Sequence, residues 1–119
     1  MTVFDFEGKH IFISGAMSGI PDYNSDVFAA VKKEFVSRGA THVFNPAAHV
    51  PNPADEKPHE YYMRKCLHEL TRIKEDGEPF YDAVAMLSGW VRSSGSISEC
   101  IVANSCGIRV IRQIEGEWV

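Results

Sequence analysis

The chain is short of cysteine, of basic character and of long apolar runs. Cys66, Cys100 and Cys106 are its only cysteines, and no two stand in Cys-x-x-Cys spacing. An odd count without that pattern, and with no secretory leader, argues against a disulfide framework and for reduced thiols in a cytoplasmic protein. The five histidines are scattered without metal-ligand spacing, so neither a metal nor another cofactor is expected. No apolar run approaches membrane-spanning length, which removes the membrane as a partner. Twelve Lys and Arg against sixteen Asp and Glu give a net charge of −4, and no basic stripe exists. A nucleic-acid polymer is therefore not an expected partner, whereas a small anion held at a locally positive site is. What is present is ordinary for one globular domain spanning 1–119: 45% hydrophobic and 24% charged residues, enough to build a core.

The periodicity alternates between strand and helix. His10-Ile11-Phe12-Ile13-Ser14 reads as a buried first strand ending at Gly15. Residues 15–22 form a loop, and a helix starts near Asn24 or Ser25 with Val27, Phe28, Val31, Phe35 and Val36 at helical spacing. Gly39 stops it, and Thr41 to Phe44 is the second strand. Residues 46–58 hold Pro46, Pro51, Pro53 and Pro58, a long loop or flap over a site. Pro58 opens a second helix reaching about Ile73, with Tyr61, Tyr62, Cys66, Leu67 and Leu70 on one face. Tyr81 to Leu87 is apolar at nearly every position after Asp82, as a central parallel strand should be. A third helix runs from about Gly95 to Cys106, followed by the strand Ile108 to Ile111. The tail from Glu115 either extends an edge strand or reaches a neighbouring subunit. Short links between alternating elements predict an α/β fold: an open parallel sheet of four to five strands with helices on both faces. Ligands of such sheets bind beyond the carboxyl ends of the strands, where the loops 14–22, 45–58 and 88–95 meet.

The stretch Ser93-Ser94-Gly95-Ser96-Ile97-Ser98-Glu99 concentrates the chemistry. A small-residue loop opening a helix after a strand offers free N–H groups and the positive helix end to an anion. Glu99 is either an ordinary dipole-complementing residue or a catalytic carboxylate aimed at what the cradle holds. Ser93, Ser94 and Ser96 can cap the helix, bind an anion, or both.

Four segments in order, FISGAMSGIPDYN, VFNPA, YYMRKCLHEL and DAVAMLSGWVRSSGSISECIVANSCGI, carry a resemblance over residues 10–111. The chain resembles the small phage and bacterial family called domain of unknown function 4406. That family is similar to nucleoside 2-deoxyribosyltransferases and 2'-deoxynucleoside 5'-phosphate N-hydrolases. The resemblance implies a flavodoxin-like (Rossmann-like) sheet, a homo-oligomer and chemistry at an N-glycosidic bond, with a deoxynucleoside or deoxynucleotide as substrate. Glu99 matches the glutamate that attacks the anomeric carbon, and Ser93 and Gly95, with Ser94 adjacent, match the residues that hold the sugar or its phosphate. The loop after the first strand, matching Gly15 to Gly19, closes over base and sugar, making Ser14, Gly15, Met17, Ser18 and Gly19 its candidate contacts. Where relatives often carry an aspartate in the second helix, this chain places Cys66, which removes the expected acid for protonating the base.

Other positions have two readings each. Tyr23 donates to the nucleophile or the sugar, or packs at a helix start. Asp82 is a catalytic candidate, but as the first residue of a buried strand it reads better as a structural pair away from the site. Trp90 stacks on a base or packs under its loop, and Asn45 contacts substrate or shapes a turn with Pro46. Arg92 adjoins the cradle and can balance a phosphate, more so than Arg64. His49 and His59 read as solvated, and the cysteines as core. Three functions follow. The leading one is cleavage or transfer at the N-glycosidic bond of a deoxyribonucleoside or its 5'-monophosphate through Glu99. A nucleotide-sequestering module without catalysis and a signalling domain with no ligand in the loop are the alternatives.

Overall fold

Strand β1 (His10–Ser14) supplies the centre of the fold, because its side chains feed both faces of a sheet. In a computed structural model describing residues 2–49 and 57–119, Ile11 and Ile13 pack with Phe28 and Phe35 of helix α1 (Ser25–Ser37). Phe12 points the other way, into a cluster with Leu70 of α2 (His59–Leu70) and Ala103 of α3 (Ser94–Ser105). Strands β2 (His42–Phe44), β3 (Ala83–Met86), β4 (Arg109–Ile114) and β5 (Glu117–Trp118) complete a sheet of order β2-β1-β3-β4-β5. The first four are mutually parallel and β5 is antiparallel. This is the open α/β sheet expected, with α1 on one face and α2 and α3 on the other.

The order places the topological switch beside β1. The chain leaves β1 for one face and leaves its neighbour β3 for the opposite face. A crevice therefore opens beyond their carboxyl ends, where Ser14 pairs in register with Met86.

Several boundaries differ from the sequence reading for local reasons. Helix α2 stops at Leu70: Thr71 leaves the helical backbone at φ −91°, ψ 15°, the Arg72 N–H tightens to the Glu69 carbonyl, and Ile73 turns to bridge Pro79. On α1, Phe28 and Phe35 are fully buried, but Val27 and Val36, expected on the same face, are about half exposed. The N-terminal segment, given no role above, is part of the core. Phe4 and Phe6 are buried, the Phe4 N–H donates to the Trp118 carbonyl at 2.8 Å, and Phe6 stacks on Phe35 at 4.4 Å. Trp118 meets Phe35 edge-on and donates its indole N–H to Glu34 at 3.1 Å. The tail thus extends the sheet edge and clamps the N-terminus over α1, each buried aromatic being worth roughly 2–3 kcal/mol. No helix among the described residues is long and apolar enough to cross a membrane. Residues 50–56 of the proline-rich loop lie outside the described residues.

Candidate active site

The loops after β1, β2 and β3 converge on one pocket of about 690 Å³. Gly15 to Ser18 and Tyr23 come from the first, Phe44, Pro46 and His49 from the second, and Arg92 to Ser96 from the third. Helix α2 closes the remaining side with His59, Tyr62, Met63, Cys66 and Glu69. Close approach of these walls depends on two residues without side chains. A Cβ on Gly15 would lie 2.8 Å from Leu87 Cδ1 and 2.9 Å from Leu87 Cβ. One on Gly95 would lie 3.1 Å from the Met63 sulfur, where α2 crosses the start of α3.

Glu99 lies in this pocket, 7% exposed. It sits on α3 three residues after Ser96, so both face inward. Its Oε1 accepts a 2.6 Å bond from the hydroxyl of Ser14, the last residue of β1. Among the described residues no Lys, Arg or His pairs with it. Burial pushes its carboxyl up to about 7, against the opposing pull of the Ser14 bond. A buried carboxyl held near neutrality by one neutral donor is costly in a core and common in a reactive site. Cys66 stands near enough to feel that charge; burial first, and Glu99 second, push its thiol up to about 12.

Beside Glu99 is the open end of α3. Ser93 is the N-cap: its hydroxyl oxygen accepts from the Ser96 N–H at 3.2 Å and its carbonyl from the Ile97 N–H at 3.0 Å. The N–H groups of Ser94 and Gly95 then remain at the helix start, pointing where the dipole favours an anion. The Ser96 hydroxyl is buried and lacks a partner among the described residues, although it lines the pocket. Lys57, Lys65 and Arg92 add positive charge to the walls of an otherwise acidic protein.

A family described as Domain of unknown function (DUF4406) matches residues 9–112. The chain belongs to this family. No curated protein and no solved structure matches it.

Within the DUF4406 domain the expected residues divide. Glu99, Tyr23, Gly15, Met17, Ser18, Arg92, Ser93, Ser94 and Gly95 line the one pocket, and Ser14 lies behind it as the donor to Glu99. Tyr23 sits in a run of three left-handed residues, Asp22, Tyr23 and Asn24, with φ of 52°, 54° and 63°. Such backbone costs roughly 1–2 kcal/mol per residue; Asn24 Nδ2 donating to the Ala16 carbonyl and Ser25 Oγ donating to Asp22 hold it in place.

Four candidate positions stand outside this pocket: for Asp82, Asn45 and Trp90 the structural one of the two readings holds, and for Gly19 the expected contact is corrected. Asp82 lies at the amino end of the strands, where its carboxylate accepts from the His10 N–H at 2.8 Å, so it is structural. Asn45 is buried with Oδ1 accepting from the Ala47 N–H, which spends its side chain on the turn. Gly19 is exposed in a turn and forms no pocket wall. Trp90 lines a separate cleft of about 440 Å³ with Arg112 and Gln113 and packs against the α2/α3 core cluster. His49 and His59 are exposed, as read, and they also border the pocket, His49 stacked on Phe44 at 5.0 Å. The α2 wall was readable only as a helix face: positions 59, 62, 63, 66 and 69 follow the three-four spacing that elsewhere marks core.

Proposed function

We propose that this pocket breaks the N-glycosidic bond of a deoxyribonucleoside or its 5'-monophosphate, with Glu99 as nucleophile. The observation that carries the reading is the placement of a buried, near-neutral carboxyl beside an open helix N-terminus in one pocket. The Glu99 carboxylate forms a bond to C1' as the C1'–N bond breaks, and the electron pair leaves with the base. Water, or a second base, then displaces Glu99 from C1'. Ser14 orients the carboxylate, and the Ser94 and Gly95 N–H groups with the Ser93 and Ser96 hydroxyls receive the 5' group. The Cys66 thiol is too weak an acid to protonate the departing base, so turnover is slow and favours bases that leave readily.

Ser93→Ala tests the anion cradle. It removes a hydroxyl that can donate to a ligand while accepting from Ser96. Affinity for a deoxynucleoside monophosphate falls more than affinity for the free nucleoside, and helix stability falls by about 1 kcal/mol. Calorimetric titration of both ligands reads the difference; equal losses for the two contradict phosphate binding at this helix end.

The same reading includes a homo-oligomer. Ile97 and Ile101 lie exposed on α3 and Val91 just before it, and the outward side of α3 offers only neutral residues around them. A neutral apolar face is self-complementary about a two-fold axis. Light scattering at micromolar concentration gives at least a dimer mass, and Ile101→Glu returns it to monomer. A monomer mass for the wild type removes the assembly.

A further inference from the structure

Glu69 is a second carboxylate in the pocket, and its geometry fits recognition rather than bond cleavage. It lies three residues beyond Cys66 on α2, an advance of about 4.5 Å along the helix. Glu99, Cys66 and Glu69 line the same pocket, and the Cys66 thiol feels the charge of both carboxylates, so Cys66 lies on the wall they share. Phe44, stacked between Phe12 and His49, forms a rigid apolar flank of the same pocket.

Glu69 is held in place from behind. Its Oε2 accepts from the Tyr81 hydroxyl and from Arg72 Nη1 at 2.8 Å, and Tyr81 in turn lies 3.2 Å from His42 Nε2. Both recorded bonds fall on one oxygen, which leaves Oε1 for a ligand. Burial opposes the charge, but the bonds from Tyr81 and Arg72 outweigh it and hold the carboxyl below its ordinary range. An ionised carboxylate only accepts hydrogen bonds, so whatever meets Oε1 must donate.

We infer that Glu69 reads the base, accepting from an exocyclic amino group, so that the pocket selects amino-bearing bases over their oxo counterparts. This rests on the glycosidic reading of Glu99. An oxo base would turn a carbonyl oxygen toward the same carboxylate, leaving two acceptors opposed and one hydrogen bond unmade.

The test measures binding without turnover, in Glu99→Gln protein titrated with matched pairs: deoxycytidine against deoxyuridine monophosphate, and deoxyadenosine against deoxyinosine monophosphate. The amino member binds about tenfold tighter in at least one pair. Adding Glu69→Gln, whose amide both donates and accepts, removes the preference. Adding Tyr81→Phe, which disturbs the same corner but keeps the carboxylate, retains it. Equal binding within both pairs, or a preference that survives Glu69→Gln, overturns the inference. If wild type releases base from oxo and amino substrates alike, the glycosidic reading stands and this inference alone fails. If no member of either pair binds, both fail together.

Discussion

Glu99→Gln lowers base release by on the order of a thousandfold or more while leaving nucleotide affinity nearly unchanged. Glutamine keeps the shape of the side chain, and its amide oxygen can still accept from Ser14. What it lacks is the negative charge that, on the proposed reading, bonds to C1', an interaction made chiefly in the transition state. If Glu99 is the nucleophile proposed here, it must be ionised to attack. With its carboxyl pushed up to about 7, kcat/KM rises with pH up to that value and then levels. Parallel losses in binding and turnover in the variant would point to a structural glutamate. A pH profile already flat at pH 5 would separate Glu99 from the chemical step.

The same substitution stabilises the fold at alkaline pH. The ordinary glutamate value is 4.5, and in the folded protein burial raises it to about 7. Between these values the folded state holds a proton that the unfolded chain has released. Stability from this site is fully present below about 4.5 and is lost as pH rises to about 7. At roughly 1.4 kcal/mol per pH unit, the wild type gives up about 3 kcal/mol across that window. Gln does not ionise, so Glu99→Gln melts roughly 10 °C above wild type at pH 8 and close to it at pH 4. Thermal melts at the two pH values check this. A variant less stable than wild type at pH 8 contradicts the picture of a carboxylate strained by burial. A buried carboxyl that costs stability when ionised fits the functional role proposed for Glu99.

The elements that sequence reading located best were those with continuous apolar character. β1 and β3 are buried on both faces, so their runs are uninterrupted, and the loops at their ends follow from Gly15 and from the Ser-Gly stretch before α3. Amphipathic elements were harder. The apolar set of α1 is wider than its contact face, and only the pair Phe28 and Phe35, two turns apart, reaches the core centre. Phe4 and Phe6 alternate over too few residues to signal a strand, and their burial depends on Trp118 at the far end of the chain.

For the site, the cradle was legible from the Ser-Gly helix start, whereas the spacing alone left Glu99 open between a dipole-complementing residue and a catalytic one, and the family resemblance singled it out. Ser14 was identified by its loop, but its bond to Glu99 spans 85 positions and has no local signature. Trp90 follows Gly89, whose φ of 84° turns the chain so that the indole lines the other cleft. Glu69 was invisible for a different reason: its pocket role depends on Tyr81 and Arg72, and an i,i+3 Glu–Arg pair reads as a solvated helix end.

The most direct test of the account is base release by the wild-type protein. Incubation with each of the four common deoxynucleoside 5'-monophosphates, followed by chromatography, should show free base accumulating with time from at least one, and none with Glu99→Gln. Intact nucleotides throughout, with binding still detected by calorimetry, would contradict it and leave a protein that holds a nucleotide without cleaving it.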